Sequence, residues 1–357
     1  FVLRLGLRPR SGQSRATSRD ACSGLIASRA MTLEDLIGWR LVVGIPGTAL
    51  TADVAQHLRT IHAGGVIVFE RNFESPQQFR RLLAQLEETR GRKPLGMVDH
   101  EGGRIVRFSS GVTRFPDAWT VGRTKRPADA LRQGETEAKE LRALGVDVNL
   151  APCVDVLVEG ADPVIGPRSY GDEPHRVAAL GAARVQGLQG QGVAACAKHF
   201  PGLGAVPKDP HRHLPTVGLD WTAMHTIHLV PFMAAIHAGV ATIMSSHVCY
   251  PRLDHANEPA TFSSRLIQGL LRDELGFQGV ILSDDLEMGA LRELCSIGEA
   301  AVRAVAAGHD GVLICCGLAA QREGFESLRA AYREGRLSLE ELERSVERMT
   351  HLKPPPR

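Results

Sequence analysis

Asp209 and His211 stand two residues apart in a segment, 198–215, that also gathers Lys198, His199 and His213 among glycines and prolines. A carboxylate beside an imidazole holds one ring nitrogen and raises the basicity of the other. The result is a group that gives and takes a proton near neutrality. Asp209, His211 and His213 could instead ligate a metal, but no matching ligand set recurs near the other polar segments. The third alternative is a run of solvated loop histidines, which suits His213 best.

Two more constellations could do chemistry. Asp284 and Asp285 end the apolar run Val280-Ile281-Leu282-Ser283. Successive strand residues face opposite ways, so one aspartate points inward while the other orients the turn or caps the following helix. The competing reading makes both of them helix N-terminal acids. Asp99-His100-Glu101-Gly102-Gly103-Arg104, followed by Arg107, leaves an apolar run through two glycines. The Gly-Gly pair suggests a phosphate loop, but no Gly-Lys-Ser/Thr follows and the spacing fits no nucleotide fingerprint. Arg168, in Val164-Ile165-Gly166-Pro167-Arg168, is a further loop cation. Inward-facing Asp and Arg side chains suit a ligand with several hydroxyls, such as a sugar. Either arginine alone is more often a structural ion pair.

These residues need strands to carry them. Eight short apolar runs recur along the chain: Arg40–Gly44, Gly65–Phe69, Leu95–Asp99, Asp147–Leu150, Val193–Lys198, Ala241–Ser246, Gly279–Ser283 and Gly311–Cys315. Apolar on both sides, they read as buried parallel strands. Helical patterns lie between them: Pro76–Arg90, Glu135–Leu144, Pro174–Leu188, Thr222–Ala238, Arg265–Leu275 and Ile297–Ala307. Gly145, Gly192, Gly239, Gly276 and Gly308 stand at expected C-cap positions. Eight strand–helix units predict a single-domain α/β fold, the (β/α)8 TIM-type barrel. Asp99, Asp155, Lys198-His199, Ser246-His247 and Ser283-Asp284-Asp285 all fall at the C-terminal side of strands, where such barrels build their sites.

Composition limits the rest. With 43% hydrophobic and 23% charged residues, the 357-residue chain has ample core for one barrel. No run approaches the ~20 apolar residues of a membrane span. The 5% aromatic content argues against a stacking surface for nucleic acid. Residues 1–30 carry six arginines against Asp20, a net +5 within a total of +2, which leaves −3 for the remainder. That basic stretch reads as a disordered leader or mis-assigned start, with Met31 as the natural beginning; an organelle transit peptide is the alternative. The domain is expected over 31–350, with a Pro-rich tail at 351–357. Seven cysteines without metal-ligand spacing fit a reduced, cytoplasmic compartment.

Taken together, the segments resemble glycoside hydrolase family 3, and within it the single-barrel bacterial β-N-acetylglucosaminidases of the NagZ type. The similarity spans about residues 31–350. It rests on Asp-x-Glu-Gly-Gly-Arg at 99–104, Asn149-Leu150-Ala151-Pro152 with Asp155, and Val-Ile-Gly-x-Arg-Ser-Tyr-Gly at 164–171. It continues in Lys-His-Phe-Pro-Gly-x-Gly at 198–204, Asp-x-His at 209–211 and Ser-Asp-Asp-Leu-x-Met at 283–288. The resemblance implies that Asp284 is a nucleophile and that His211, held by Asp209, is the acid/base. It further implies that Asp99, Arg107, Arg168, Lys198 and His199 bind sugar hydroxyls. The implied enzyme is a retaining exo-β-N-acetylglucosaminidase (a β-N-acetylhexosaminidase) that needs no metal or cofactor. Its partners would be small carbohydrates, muropeptides of peptidoglycan recycling, rather than nucleic acid or membrane. Leu203, Ala205, His100 and Pro210 depart from the family pattern, and Leu203 and Pro210 bear on the loop's motion and hydrogen bonding. Phosphorolysis, broader β-glycosidase activity and a non-catalytic sugar-binding barrel are the alternatives.

Overall fold

Each expected strand forms, and each pairs in parallel with the next, until the eighth pairs with the first. The strands are β1 (Leu41–Gly44), β2 (Gly65–Val68), β3 (Leu95–Val98), β4 (Val148–Asn149), β5 (Ala194–Phe200), β6 (Thr242–Ser245), β7 (Val280–Asp285) and β8 (Gly311–Ile314). The computed structural model describes residues 31–256 and 258–352. The basic stretch 1–30 and most of the Pro-rich tail therefore lie outside the described residues. The sheet is a closed (β/α)8 barrel, and closure leaves no sheet edge exposed. β1, β2, β3, β6 and β8 are buried along their whole length, since one face fills the barrel and helices cover the other.

The helices follow their local signals. Pro76–Arg90 starts at an N-cap Ser75 that accepts from the Gln78 amide, and it buries Phe79, Leu82, Leu83 and Leu86. Gly145, Gly192, Gly239, Gly276 and Gly308 all have left-handed φ, which an L side chain disfavours. The helix expected from Glu135 instead begins at Pro127 and runs through Gly134. A Cβ on Gly134 would meet the Arg184 carbonyl at 2.7 Å, and one on Gly187 the Leu131 carbonyl at 2.3 Å. Here glycine permits two helices, Pro127–Leu144 and Pro174–Gly190, to pack backbone to backbone.

Two expected helices differ in winding. The segment Thr222–Ala238 contains a wide π turn at Met224–His228 before an α-helix, Leu229–His237. That turn precedes Pro231, whose ring would press on the residue-227 carbonyl in a regular helix. Arg265–Glu274 is π-wound throughout. The last helix, Leu339–His351, crosses the boundary expected at residue 350 and contacts Leu33–Trp39. No helix among the described residues is long and apolar enough to cross a membrane.

Candidate active site

The C-terminal ends of the strands open into a cavity of about 580 Å³. Asp99, Arg107, Arg168, Lys198, His199, Asp209, His211 and Asp284 all line it. The structure thus brings together every site residue expected from the sequence. His213 is not among them.

The floor is a charged network that begins on β3. Asp99 follows the strand, and the chain then reverses, the Glu101 amide donating to the Ile105 carbonyl at 2.8 Å. Gly102 and Gly103 have left-handed φ, and a Cβ on Gly103 would lie 2.6 Å from that of Asp117. The two glycines therefore serve a tight turn, and no phosphate loop forms. The turn sends Glu101 inward on the same side as Asp99. Its carboxylate accepts from Arg168 Nε and Nη2 at 2.9 and 2.8 Å, and Lys198 Nζ lies 2.8 Å from the same group. Lys198 also donates to Asp99 at 2.5 Å, while Arg107 stands 3.9 Å from the other Asp99 oxygen. Burial opposes the charge on Glu101, but the two cations outweigh it and hold the carboxyl far below its usual range. Glu101 lies within a quoted motif but was not expected in the site; its two-residue spacing from Asp99 was the available signal.

Strand alternation should allow only one of Lys198 and His199 to face the cavity. Pairing between β5 and β6 shifts by one residue at His199, with Lys198 opposite Met244 and Phe200 opposite Ser245. This bulge turns both side chains to the mouth. Asp155, fully buried, holds the bulge in place. It accepts from the His199 amide at 3.2 Å, from His199 Nδ1 at 2.8 Å and from the Leu203 amide at 2.6 Å. With Nδ1 donating, His199 Nε2 is an acceptor, and Arg168 Nη2 approaches it at 3.3 Å. Asp155 was noted at a strand end but not assigned to the site. Leu203 is buried and keeps its loop tied to Asp155 by its amide, a contact any residue except proline permits.

A second register shift, between Leu282 and Asp285 on β7, brings both aspartates to the cavity. The single-inward expectation is corrected to that extent, but the division of labour holds. Asp285 Oδ1 accepts from the Cys315 and Glu287 amides at 3.2 and 3.1 Å and so orients the turn. Burial, with Glu287 and Asp284 adding negative charge, pushes its carboxyl up to about 6. Asp284 goes the other way. Burial would raise it, but His199, His247, the Asp285 amide at 2.8 Å and His211 lower it below the ordinary carboxylate value. Asp284 is thus an ionised carboxylate in a half-buried position at the cavity wall. His247 packs behind it: burial lowers the basicity of the ring, Nε2 donates to the Asp285 carbonyl at 3.0 Å and Nδ1 lies 2.6 Å from the Thr261 hydroxyl.

The Asp209–His211 pair is built differently. Asp209 Oδ1 accepts from the His211 amide at 2.9 Å and from its Nδ1 at 2.7 Å. Burial opposes the charge on Asp209, but these bonds hold its carboxyl below the usual value. The His211 side chain is 60% exposed, against 2% for Lys198. His211 is therefore on an open loop, whereas the floor is buried. Asp209, His211 and His213 do not converge as ligands. The sets that do converge, Cys153/Asp155/His199 and Asp285/Glu287/Cys316, are hydrogen-bond networks whose carboxylates already accept from amides. Burial also keeps the Cys153 thiol protonated.

Residues 32–352 match the glycosyl hydrolase family 3 N terminal domain. The chain is similar to a β-hexosaminidase of Nitrosomonas eutropha, at 42% identity over 281 residues, covering 77% of this chain and 80% of the relative. Among solved structures it is similar to a glycoside hydrolase family 3 β-N-acetylglucosaminidase from Paenibacillus sp. (TM-score 0.88, 38% identity); 90% of this chain matches, spanning 62% of the longer protein. It is also similar to NagZ from Neisseria gonorrhoeae in complex with N-trifluoroacetyl-D-glucosamine (TM-score 0.79, 32% identity; 89% and 91% coverage). With its closed barrel and a carboxylate and histidine facing one cavity, the chain belongs to glycosyl hydrolase family 3 and is a glycoside hydrolase of the β-hexosaminidase type.

Proposed function

We propose that this hydrolase is a retaining exo-β-N-acetylglucosaminidase acting on N-acetylglucosamine linked to anhydro-N-acetylmuramic acid in peptidoglycan-derived muropeptides. The observation that carries the mechanism is a half-buried, ionised Asp284 in the same cavity as Asp209 and the exposed His211. A carboxylate needs no proton removed before it attacks, so Asp284 is suited to be the nucleophile. Its oxygen bonds to the anomeric carbon as the C–O bond to the leaving group breaks. His211 gives its Nε2 proton to the departing oxygen, leaving a neutral alcohol. His211 then takes a proton from water, whose oxygen attacks the anomeric carbon and releases Asp284 as carboxylate. Asp209 holds Nδ1 and steadies the imidazolium in both steps. Asp99, Lys198, Arg168, Arg107 and His199 supply a cluster of donors and acceptors for hydroxyls of the terminal sugar. The printed names of the relatives and of the ligand-bound neighbour support a β-N-acetylhexosamine in that position.

The test is hydrolysis of an aryl β-N-acetylglucosaminide and of N-acetylglucosaminyl-anhydro-N-acetylmuramyl peptide. Asp284→Ala should lower turnover ~10⁴-fold or more and His211→Ala ~10²–10⁴-fold. Wild-type turnover by Asp284→Ala would refute the mechanism. Efficient cleavage of simple chitobiose with none of the muropeptide would refute the substrate.

A further inference from the structure

The short helix that follows Asp284 is coupled to the loop that carries His211. The Gly289 amide donates to the His211 carbonyl at 3.0 Å, and the Ala290 amide donates to the Pro210 carbonyl at 3.1 Å. Both donors start the short helix Gly289–Arg292, five residues after Asp284. First-turn amides have no partner within a helix, so these two are free to hold another segment. Gly289 has no left-handed φ, so its backbone does not require glycine. What it lacks is room: a Cβ there would lie 2.6 Å from the His211 carbonyl oxygen and 2.9 Å from that of Arg212. Alanine would favour the helix, so the missing methyl costs stability locally and serves the contact. Pro210, which has no amide hydrogen, enters through its carbonyl alone.

We infer that Gly289 is a positioning residue for proton transfer: its bare α-carbon and amide let the His211 loop dock on the helix that follows the nucleophile strand and set the spacing between acid/base and nucleophile. The inference rests on the proposed role of His211. A methyl at 289 must displace something. The helix end is tied to β7 and buried through Ala290 and Leu291, whereas the 209–213 loop is largely exposed, so the loop is what yields. A displacement near 1 Å at a catalytic group costs about 10²-fold in rate.

The experiment compares Gly289→Ala with wild type on two β-N-acetylglucosaminides, one with 2,4-dinitrophenolate and one with 4-methylphenolate as leaving group. The first leaves without a proton and the second needs one. Gly289→Ala should lower kcat/KM about 10–100-fold on the 4-methylphenyl substrate and less than about 3-fold on the dinitrophenyl substrate. Azide, which attacks the glycosyl-enzyme without losing a proton, should restore kcat on the dinitrophenyl substrate. Equal losses on both substrates, or no loss, would overturn the inference. If Asp284→Ala hydrolyses the dinitrophenyl substrate normally, the proposed mechanism fails instead, and the two failures are distinct. Should Gly289→Ala not fold, hydrogen exchange in wild type decides: slowed exchange of the 289 and 290 amides supports the clamp, and exchange at the unprotected rate overturns it.

Discussion

Replacing Glu101 with Gln tests whether the charged floor is a structural and functional unit. The wild-type carboxylate accepts twice from Arg168 and lies 2.8 Å from Lys198, itself almost fully buried. Gln keeps the shape but turns one acceptor into a donor facing a donor. Lys198 retains Asp99 at 2.5 Å, so Arg168 bears most of the loss. Removing one partner of a buried ion pair costs about 3–5 kcal/mol. An unfolding entropy of roughly 2.1 cal/mol/K per residue over about 320 residues gives roughly 0.7 kcal/mol/K, so Tm should fall about 4–7 °C. A substrate hydrogen bond to a mis-set cation is worth about 1.5–3 kcal/mol, so kcat/KM should fall about 10–150-fold. The sign with pH follows from the depressed carboxyl of Glu101. Its contribution is fully present above the unfolded value near 4.3 and is lost only as pH falls through the much lower folded value. The Tm gap between wild type and variant should therefore stay constant from about pH 5.5 to 9. Adding Arg168→Met removes the stranded charge, so the double variant should regain stability but not activity. The assays are thermal melts across pH and steady-state hydrolysis of an aryl N-acetylglucosaminide. A Tm within about 1 °C of wild type with unchanged kcat/KM would refute the reasoning.

Two other substitutions probe the carboxylates that set the machinery. Asp285, pushed up to about 6 in the fold, binds more protons folded than unfolded between about pH 4 and 6, so it costs stability as pH rises through that window. Asp285→Asn, which retains an acceptor for the Cys315 and Glu287 amides, should raise Tm at pH 7–8 and leave it unchanged below pH 4, with turnover kept. Melts at pH 4 and pH 8 check this. Asp155→Asn should free the His199 tautomer and loosen the β5 bulge, raising KM about 10-fold or more with a smaller change in kcat; Michaelis kinetics against His199→Gln as reference read the split.

Local sequence determined a great deal here. Strand-length apolar runs, most followed by a helical period and five of them preceded by a C-cap glycine, specify repeated βα units, and polar residues concentrated at one strand end specify the working face. Those signals are local because alternation, capping and left-handed glycine are decided within a few residues. Asp284, Asp209, His211, Lys198 and Asp99 were legible for that reason. Winding was not: the apolar spacing of Thr222–Ala238 and Arg265–Leu275 reads as α-helix, and the π turns at Met224–His228 and Arg265–Glu274 appear only in the structure. Nor were the bulges at His199 and within β7 legible, because a register shift is a relation between two strands. Glu101 and Asp155 gained their importance only when barrel closure brought the ends of β3, β4 and β5 side by side. Gly289 shows the same division in one residue. Its sequence position suggests an indifferent helix start, and only the fold places the His211 carbonyl where a methyl group would be. Residue identity determined which chemistry the chain can perform. The distances at which it is performed depend on contacts between segments far apart in sequence, and only the tertiary structure decided those.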